Sequence, residues 1–204
     1  GDITLNWVGR MEGYNSGTVP AIDNDGNIYA SCRDNNLYKF SATGELLWKK
    51  PIFTPTDPTS TMWGNMSIDT DGTVFVGGGT VGTDGVYVAF NPDGTEKWRF
   101  KDFFTTGDLK PTVWSVVPGI GDENIYVGNT GTTGSILAID KATGERKGYC
   151  RHGNGGPAGG ARNGVAISKE GMLHWYGGVY GLFGLSQSGL DNGTEGVDYA
   201  WSIY

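Results

Sequence analysis

Two short runs carry carboxylates at alternate positions beside a glycine: Asp23-Asn24-Asp25-Gly26-Asn27 and Asp69-Thr70-Asp71-Gly72-Thr73. Oxygen ligands in that spacing occur in calcium loops. A complete EF-hand loop also needs further ligands and a distal Glu at fixed spacing, and both runs lead straight into β-rich sequence. A hairpin turn uses the same residues for another reason. Asp and Asn tolerate turn dihedrals, and glycine supplies a positive φ. A turn is therefore the expected role, and no metal site is assigned. The run from Gly153 to Gly160 has crude glycine spacings of a nucleotide loop. It lacks the strand–loop–helix context, and Pro157 interrupts it, so it reads as a long loop.

Other reactive side chains are sparse. His152 and His174 are the only histidines. His174 falls where the neighbouring repeats place Tyr29, Phe75 and Tyr126, a packing position. His152 shares a loop with Arg151 and Arg162, which reads as solvated charge. No Ser–His–Asp order, paired-His metal spacing or phosphate loop stands out, and no catalytic residue is assigned. Cys32 and Cys150 fall in different repeats, compatible with one disulfide or two buried thiols.

The frame for these residues is a repeat. Glycine is abundant, at 36 of 204 residues, alongside 7 Trp, 10 Tyr and 8 Phe and no collagen-like triplet, which points to many tight turns between short strands. The turn glycines Gly44, Gly94 and Gly144 are 50 residues apart, and so are Trp48 and Trp98. Each repeat runs an apolar strand, a polar turn, a β-branched and aromatic strand, a third strand, a glycine turn and a fourth strand. Four strands per repeat of about 50 residues is the pattern of a propeller blade. Each blade exposes an apolar face that only a neighbour covers.

The segments Phe40-Ser41-Ala42-Thr43-Gly44-Glu45-Leu46-Leu47-Trp48 and Ala138 to Glu145 resemble the tryptophan-docking motif of the pyrroloquinoline-quinone (PQQ)-like repeat family. The resemblance covers the chain from about Thr18 to Tyr204. It implies an all-β propeller of PQQ-like repeats, four blades of four antiparallel strands. Blades are expected at about 14–50, 62–101, 112–150 and 162–204, with 3–8 a stray outer strand of a preceding blade. Trp7, Trp48, Trp98 and Trp201 are expected to wedge between blades. Two departures stand out: Gly148 occupies the tryptophan position of repeat three, and Trp201 comes late in repeat four. The family's enzymes generally carry about eight blades, so four imply a partial ring, completed by further sequence or by two copies pairing through their end blades.

The family includes quinoprotein alcohol dehydrogenases and non-enzymatic propellers such as the lipoprotein scaffold of the outer-membrane β-barrel assembly machinery. Its enzymes hold the quinone with a vicinal disulfide, a calcium ion and a catalytic Asp. Cys32 and Cys150 are not adjacent and no catalytic Asp can be assigned, so no cofactor is expected. The resemblance implies a location in the periplasm or at the cell surface. A quinoprotein-type oxidoreductase fragment is the enzymatic alternative.

A propeller binds through the loops around its channel. The connections between blades are long and aromatic, and Arg10, Tyr14, Trp63, Phe103, Phe104, Trp114 and Arg162 lie in or beside them. Aromatics and Arg have the composition of interaction hot spots. A protein partner is expected, with a glycan as the alternative. The net charge of −7 repels phosphate backbones and excludes nucleic acid as an expected partner. No apolar run reaches 18 residues, so no membrane span is expected.

Overall fold

A computed structural model describes residues 3–14, 18–53, 64–80, 83–101, 117–129, 135–151, 164–176 and 182–186. All regular structure among them is β. Blade one contains β1 (Ala21–Ile22), β2 (Ile28–Ser31), β3 (Asn36–Phe40) and β4 (Leu46–Pro51). Blade two contains β5 (Met66–Ile68), β6 (Val74–Thr80), β7 (Thr83–Phe90) and β8 (Glu96–Phe100). Blade three contains β9 (Gly119–Ile120), β10 (Asn124–Asn129), β11 (Ser135–Asp140) and β12 (Arg146–Arg151). Blade four shows β13 (Ala166–Ile167), β14 (Met172–Tyr176) and β15 (Leu182–Ser186). Each sheet is an antiparallel meander in chain order. The outer strand expected at 199–204, and Trp201 with it, lie outside the described residues.

The glycines of the turns act as anticipated. Gly26 and Gly72 follow the first strand at φ 81°, and Gly44, Gly94 and Gly144 link third and fourth strands at φ 87°, 83° and 76°. A side chain is strained at such angles, so the repeat needs glycine there. The third-to-fourth strand pairing also carries one irregularity at the same place in three blades. It falls between Lys39 and Phe40, between Ala89 and Phe90, and between Ala138 and Ile139. A bulge re-aims the residue that follows it. In blades one and two that residue is Trp48 or Trp98.

Those indoles join the blades. Trp98 Nε1 donates to the Lys141 carbonyl of blade three at 2.9 Å, and Trp48 Nε1 donates to the Pro92 carbonyl of blade two at 3.2 Å. Each ring lies flat over the receiving turn. A methyl group on Gly144 would sit 2.7 Å from Trp98 Cδ2, and one on Gly94 would sit 3.0 Å from Trp48 Cδ2. The apolar cores follow the same logic, because they form between blades. One joins Leu37 and Ile52 of blade one to Val74, Val76 and Val88 of blade two. The next joins Phe75 and Trp98 to Ile125 and Leu137, and the third joins Tyr126 and Ile136 to Leu173 and Trp175. Gly148 is buried in blade three where a docking Trp would stand. Trp175, on the second strand of blade four, is 3% exposed in the core of that interface.

Candidate partner-binding site on the first blade

One face of blade one is covered by an extended ribbon, residues 7–14. Burial alternates along it. Trp7, Gly9, Met11 and Gly13 turn inward and Val8, Arg10, Glu12 and Tyr14 turn outward, the period of extended chain. Trp7 stacks on Phe40 with ring centroids 6.2 Å apart, and Met11 packs against Cys32, Tyr38 and Phe40. The two inward glycines mark the closest approaches. A Cβ on Gly9 would lie 3.1 Å from the Phe40 ring, and one on Gly13 would lie 2.6 Å from the Asp34 nitrogen. Trp7 Nε1 donates to the Ala42 carbonyl at 3.1 Å, and a methyl on Gly44 would meet Trp7 Cδ2 at 2.6 Å. Trp7 thus docks on blade one as Trp48 docks on blade two and Trp98 on blade three.

A polar cluster fastens the rest of the ribbon. The Glu12 N–H donates to the Tyr38 hydroxyl at 3.1 Å, and the Arg33 N–H donates to the Tyr14 carbonyl at 3.0 Å. Lys49 Nζ lies 2.6 Å from Glu12 Oε2, 3.5 Å from Asp34 Oδ2 and 5.4 Å from the centre of the Tyr38 ring. Asp34 accepts a short hydrogen bond from Tyr38 and one from the Cys32 thiol at 3.0 Å. Burial pushes the Asp34 carboxyl up, but hydrogen bonds from Cys32, Tyr38 and Asn36 together outweigh burial and hold it below the usual carboxylate value. Burial, reinforced by the hydrogen bond to Asp34, raises both the Cys32 thiol and the Tyr38 phenol. The hydrogen bond to Glu12 raises Lys49.

This chemistry suits fastening and recognition. The Cys32 thiol is free, fully buried and protonated at neutral pH, and a nucleophile needs the thiolate. The Tyr38 phenol is likewise held neutral. What the ribbon offers to solvent is an aromatic and a cation on fixed backbone: Tyr14 is 85% exposed, and Arg10 is exposed beside Val8. Of the seven residues the sequence nominated for partner contact, Arg10 and Tyr14 stand together on this ribbon. Trp63, Phe103, Phe104, Trp114 and Arg162 lie outside the described residues, as does His152. The Glu12, Asp34, Tyr38 and Lys49 cluster was not anticipated from sequence. The usable signal was the alternation Trp7-x-Gly9-x-Met11-x-Gly13.

The carboxylate turns are committed to structure. Asp23 Oδ1 accepts from the backbone of Asp25 at 3.0 Å and of Asn27 at 2.8 Å, while Oδ2 accepts from Tyr29 at 3.2 Å and pairs with Lys39 Nζ at 3.5 Å. Asp71 Oδ1 accepts from the Thr73 backbone, and Asp69 pairs with Lys141 of blade three at 2.7 Å. A cleft of about 300 Å³ lies between the two turns, with Ile22 and Ile68 among its lining. Among the described residues no three His, Cys, Asp or Glu side chains converge to hold a metal ion. His174 sits at the register position of Tyr29, Phe75 and Tyr126, opposite Ala166 and Gly184, and is partly buried. No helix of the described residues is long and apolar enough to cross a membrane.

No protein-family model matches this sequence, and no curated protein matches it. Solved structures do. The chain is similar to the quinohemoprotein alcohol dehydrogenase from Comamonas testosteroni (TM-score 0.71, 18% identity), over 97% of this chain and 36% of that one. It is similar to BamB from Moraxella catarrhalis (TM-score 0.59, 16% identity), over 84% of this chain and 50% of that one. It is also similar to a europium-containing methanol dehydrogenase (TM-score 0.62, 13% identity), over 94% of this chain and 45% of that one. The chain therefore shares the β-propeller fold of these structures, as the Trp and Gly spacing implied. The chain spans half or less of each of these structures.

Proposed function

We propose that this chain is part of a non-catalytic interaction propeller that binds protein outside the cytoplasm. The observation that carries the reading is the fastened ribbon with Tyr14 and Arg10 held outward. Fixing the backbone that carries them before a partner arrives lowers the entropy cost of binding. The resemblance to BamB supports a scaffold role, and the resemblance to the family as a whole supports the periplasm or cell surface. A glycan is the alternative ligand, since Tyr and Arg also suit sugar faces and hydroxyls. Blades are assigned to 14–50, 62–101, 112–150 and 162–204. Strands β4 and β12 run one residue past those bounds, to Pro51 and Arg151. Residues 3–8 are assigned as the outer strand of a preceding blade, a reading supported by the docking of Trp7. Two copies pairing through their end blades is the self-association this arrangement favours.

A photo-crosslinking residue at position 14 tests the reading in the native cell envelope, with one at exposed Leu47 as control. Protein adducts from position 14 that disappear with Arg10→Ala are expected. Adducts equal at both positions would remove the ribbon as the site. The second reading, a portion of a quinoprotein oxidoreductase, is favoured by the two dehydrogenases among the similar structures. Stoichiometric PQQ retained after desalting with calcium present would establish it.

A further inference from the structure

The ribbon repeats the path by which blade one passes to blade two. Trp48 docks on a turn of blade two, and Ile52, four residues later, is fully buried in the core between those blades. Trp7 docks on a turn of blade one, and Met11, four residues later, packs against Cys32, Tyr38 and Phe40. One path ends in an inert branched hydrocarbon. The other ends in a thioether, which two-electron oxidants attack, and that side chain is only partly buried. Two further methionines are among the described residues. Met66 is 5% exposed in the core between blades one and two, and Met172 is partly buried on blade four.

The surface under Met11 accepts the thioether and disfavours its oxide. A sulfoxide oxygen is a strong acceptor and needs a donor where it is shielded from water. The two acidic hydrogens beside Met11 are already committed, since the Tyr38 hydroxyl and the Cys32 thiol both donate to Asp34. A sulfoxide there either goes without a donor or takes one from Asp34 and opens the cluster that pairs with Lys49. The ribbon has little to hold it against that change. Its fastenings are the Trp7 indole, the bonds at the Glu12 and Arg33 nitrogens and the Glu12–Lys49 pair, with no strand ladder among the described residues.

We propose that Met11 is an oxidation site and that its conversion to the sulfoxide by a peroxide releases the ribbon from blade one. Its consequence, loss of the ordered Tyr14 and Arg10 surface, rests on the partner-binding reading above. In the reaction the Met11 sulfur attacks one peroxide oxygen. The S–O bond forms as the O–O bond breaks, and the proton of the transferred hydroxyl passes to the departing hydroxide, which leaves as water. Sulfur loses two electrons and the peroxide gains them. Cys32 does not compete, because its thiol is fully buried and held protonated, and attack on a peroxide needs the thiolate.

Hydrogen peroxide on the full 204-residue chain tests the site. Peptide mass spectrometry should find the sulfoxide at Met11 while Met66 stays reduced. Amide exchange at Glu12 and Arg33 should then accelerate about tenfold, with exchange within β2 and β3 unchanged. Methionine sulfoxide reductases should restore the slow exchange. Met11→Leu keeps the side-chain volume and should exchange slowly both before and after peroxide. Oxidation at the other methionines is common to both chains, so the difference between them reports Met11. Met11→Gln, which places an amide oxygen at similar reach, should exchange fast without peroxide. Met11 sulfoxide with unchanged exchange overturns the proposal. So does equal acceleration in Met11→Leu, or a Met11 that stays reduced while Met172 oxidises. The cross-linker at position 14 separates the latch from the partner reading. Adducts lost on oxidation of the wild type and kept in Met11→Leu support both. No adducts from either untreated chain would remove the ribbon as the partner site, and exchange alone then decides the latch.

Discussion

Trp98 and Trp7 make the same contact in different surroundings. Both donate Nε1 to a turn carbonyl, at 2.9 and 3.1 Å, and both lie over a turn glycine with room for no methyl group. Trp98 comes from a complete four-stranded sheet, packs on Phe75 and is 8% exposed. Trp7 comes from a ribbon without strand pairing among the described residues and is only partly buried. The geometry of docking is thus set by the receiving turn, while its energetic worth is set by how much apolar surface the delivering blade brings with the indole.

Removing the indole should separate these contributions. Trp98→Ala deletes a buried aromatic between two blades and should lower stability by about 3–5 kcal/mol, read from urea melts. A Trp98→Ala melt that matches wild type would mean that the second interface does not depend on docking. Next in size is the receiving side. Gly144→Ala places a side chain at φ 76° and forces it into the Trp98 ring. About 1–3 kcal/mol is expected from the backbone conformation alone. The same double-mutant cycle with Trp98→Ala should show strong coupling, because the steric part vanishes once the indole is gone.

Trp7→Ala should cost about 1 kcal/mol, the scale of one hydrogen bond and one stacked ring pair at the surface. An effect as large as that of Trp98 would mean that the ribbon is an integral part of the blade one core. The smallest effect concerns acid. Asp34 is held below its ordinary value of 3.8, so its contribution is present above that value and is lost as pH falls through the lower, folded-state value. Amide exchange at Glu12 and Arg33, whose N–H groups fasten the ribbon, should accelerate in that window before the blades unfold. Asp34→Asn should show the faster exchange already at neutral pH. Exchange that is independent of pH across the window would remove Asp34 from the fastening.

Much of the fold was legible because the repeat imposes positive φ and bulge positions that few residues satisfy. Gly44, Gly94 and Gly144 announce the turns, and a Trp four residues later announces the interface. The carboxylate runs were also readable as turns, since Asp23 and Asp71 have local backbone donors two to four residues away. The fastening cluster was not readable. Asp34, Tyr38 and Lys49 come together within blade one, but the approach of Glu12 depends on the ribbon crossing that blade, and the alternation of Trp7, Gly9, Met11 and Gly13 marks the ribbon's inward side without naming what its outward residues meet. Likewise Gly148 signalled a missing docking Trp, but nothing in the repeat pointed to Trp175, on a different strand of the next blade, as an indole of the core there.

The indole and its glycine seat are carried by every repeat that obeys the motif, at a constant spacing of 50 residues between successive seats. Each repeat presents one half of the joint to the blade after it and receives the other half from the blade before. A gene that gains or loses one whole repeat between two joints that obey the motif therefore keeps an indole facing a glycine seat at the new joint. For the indole and its seat, blade number can change through unequal recombination without a compensating substitution. The departure at Gly148 marks the one place among the described joints where such an exchange would bring together halves that do not match.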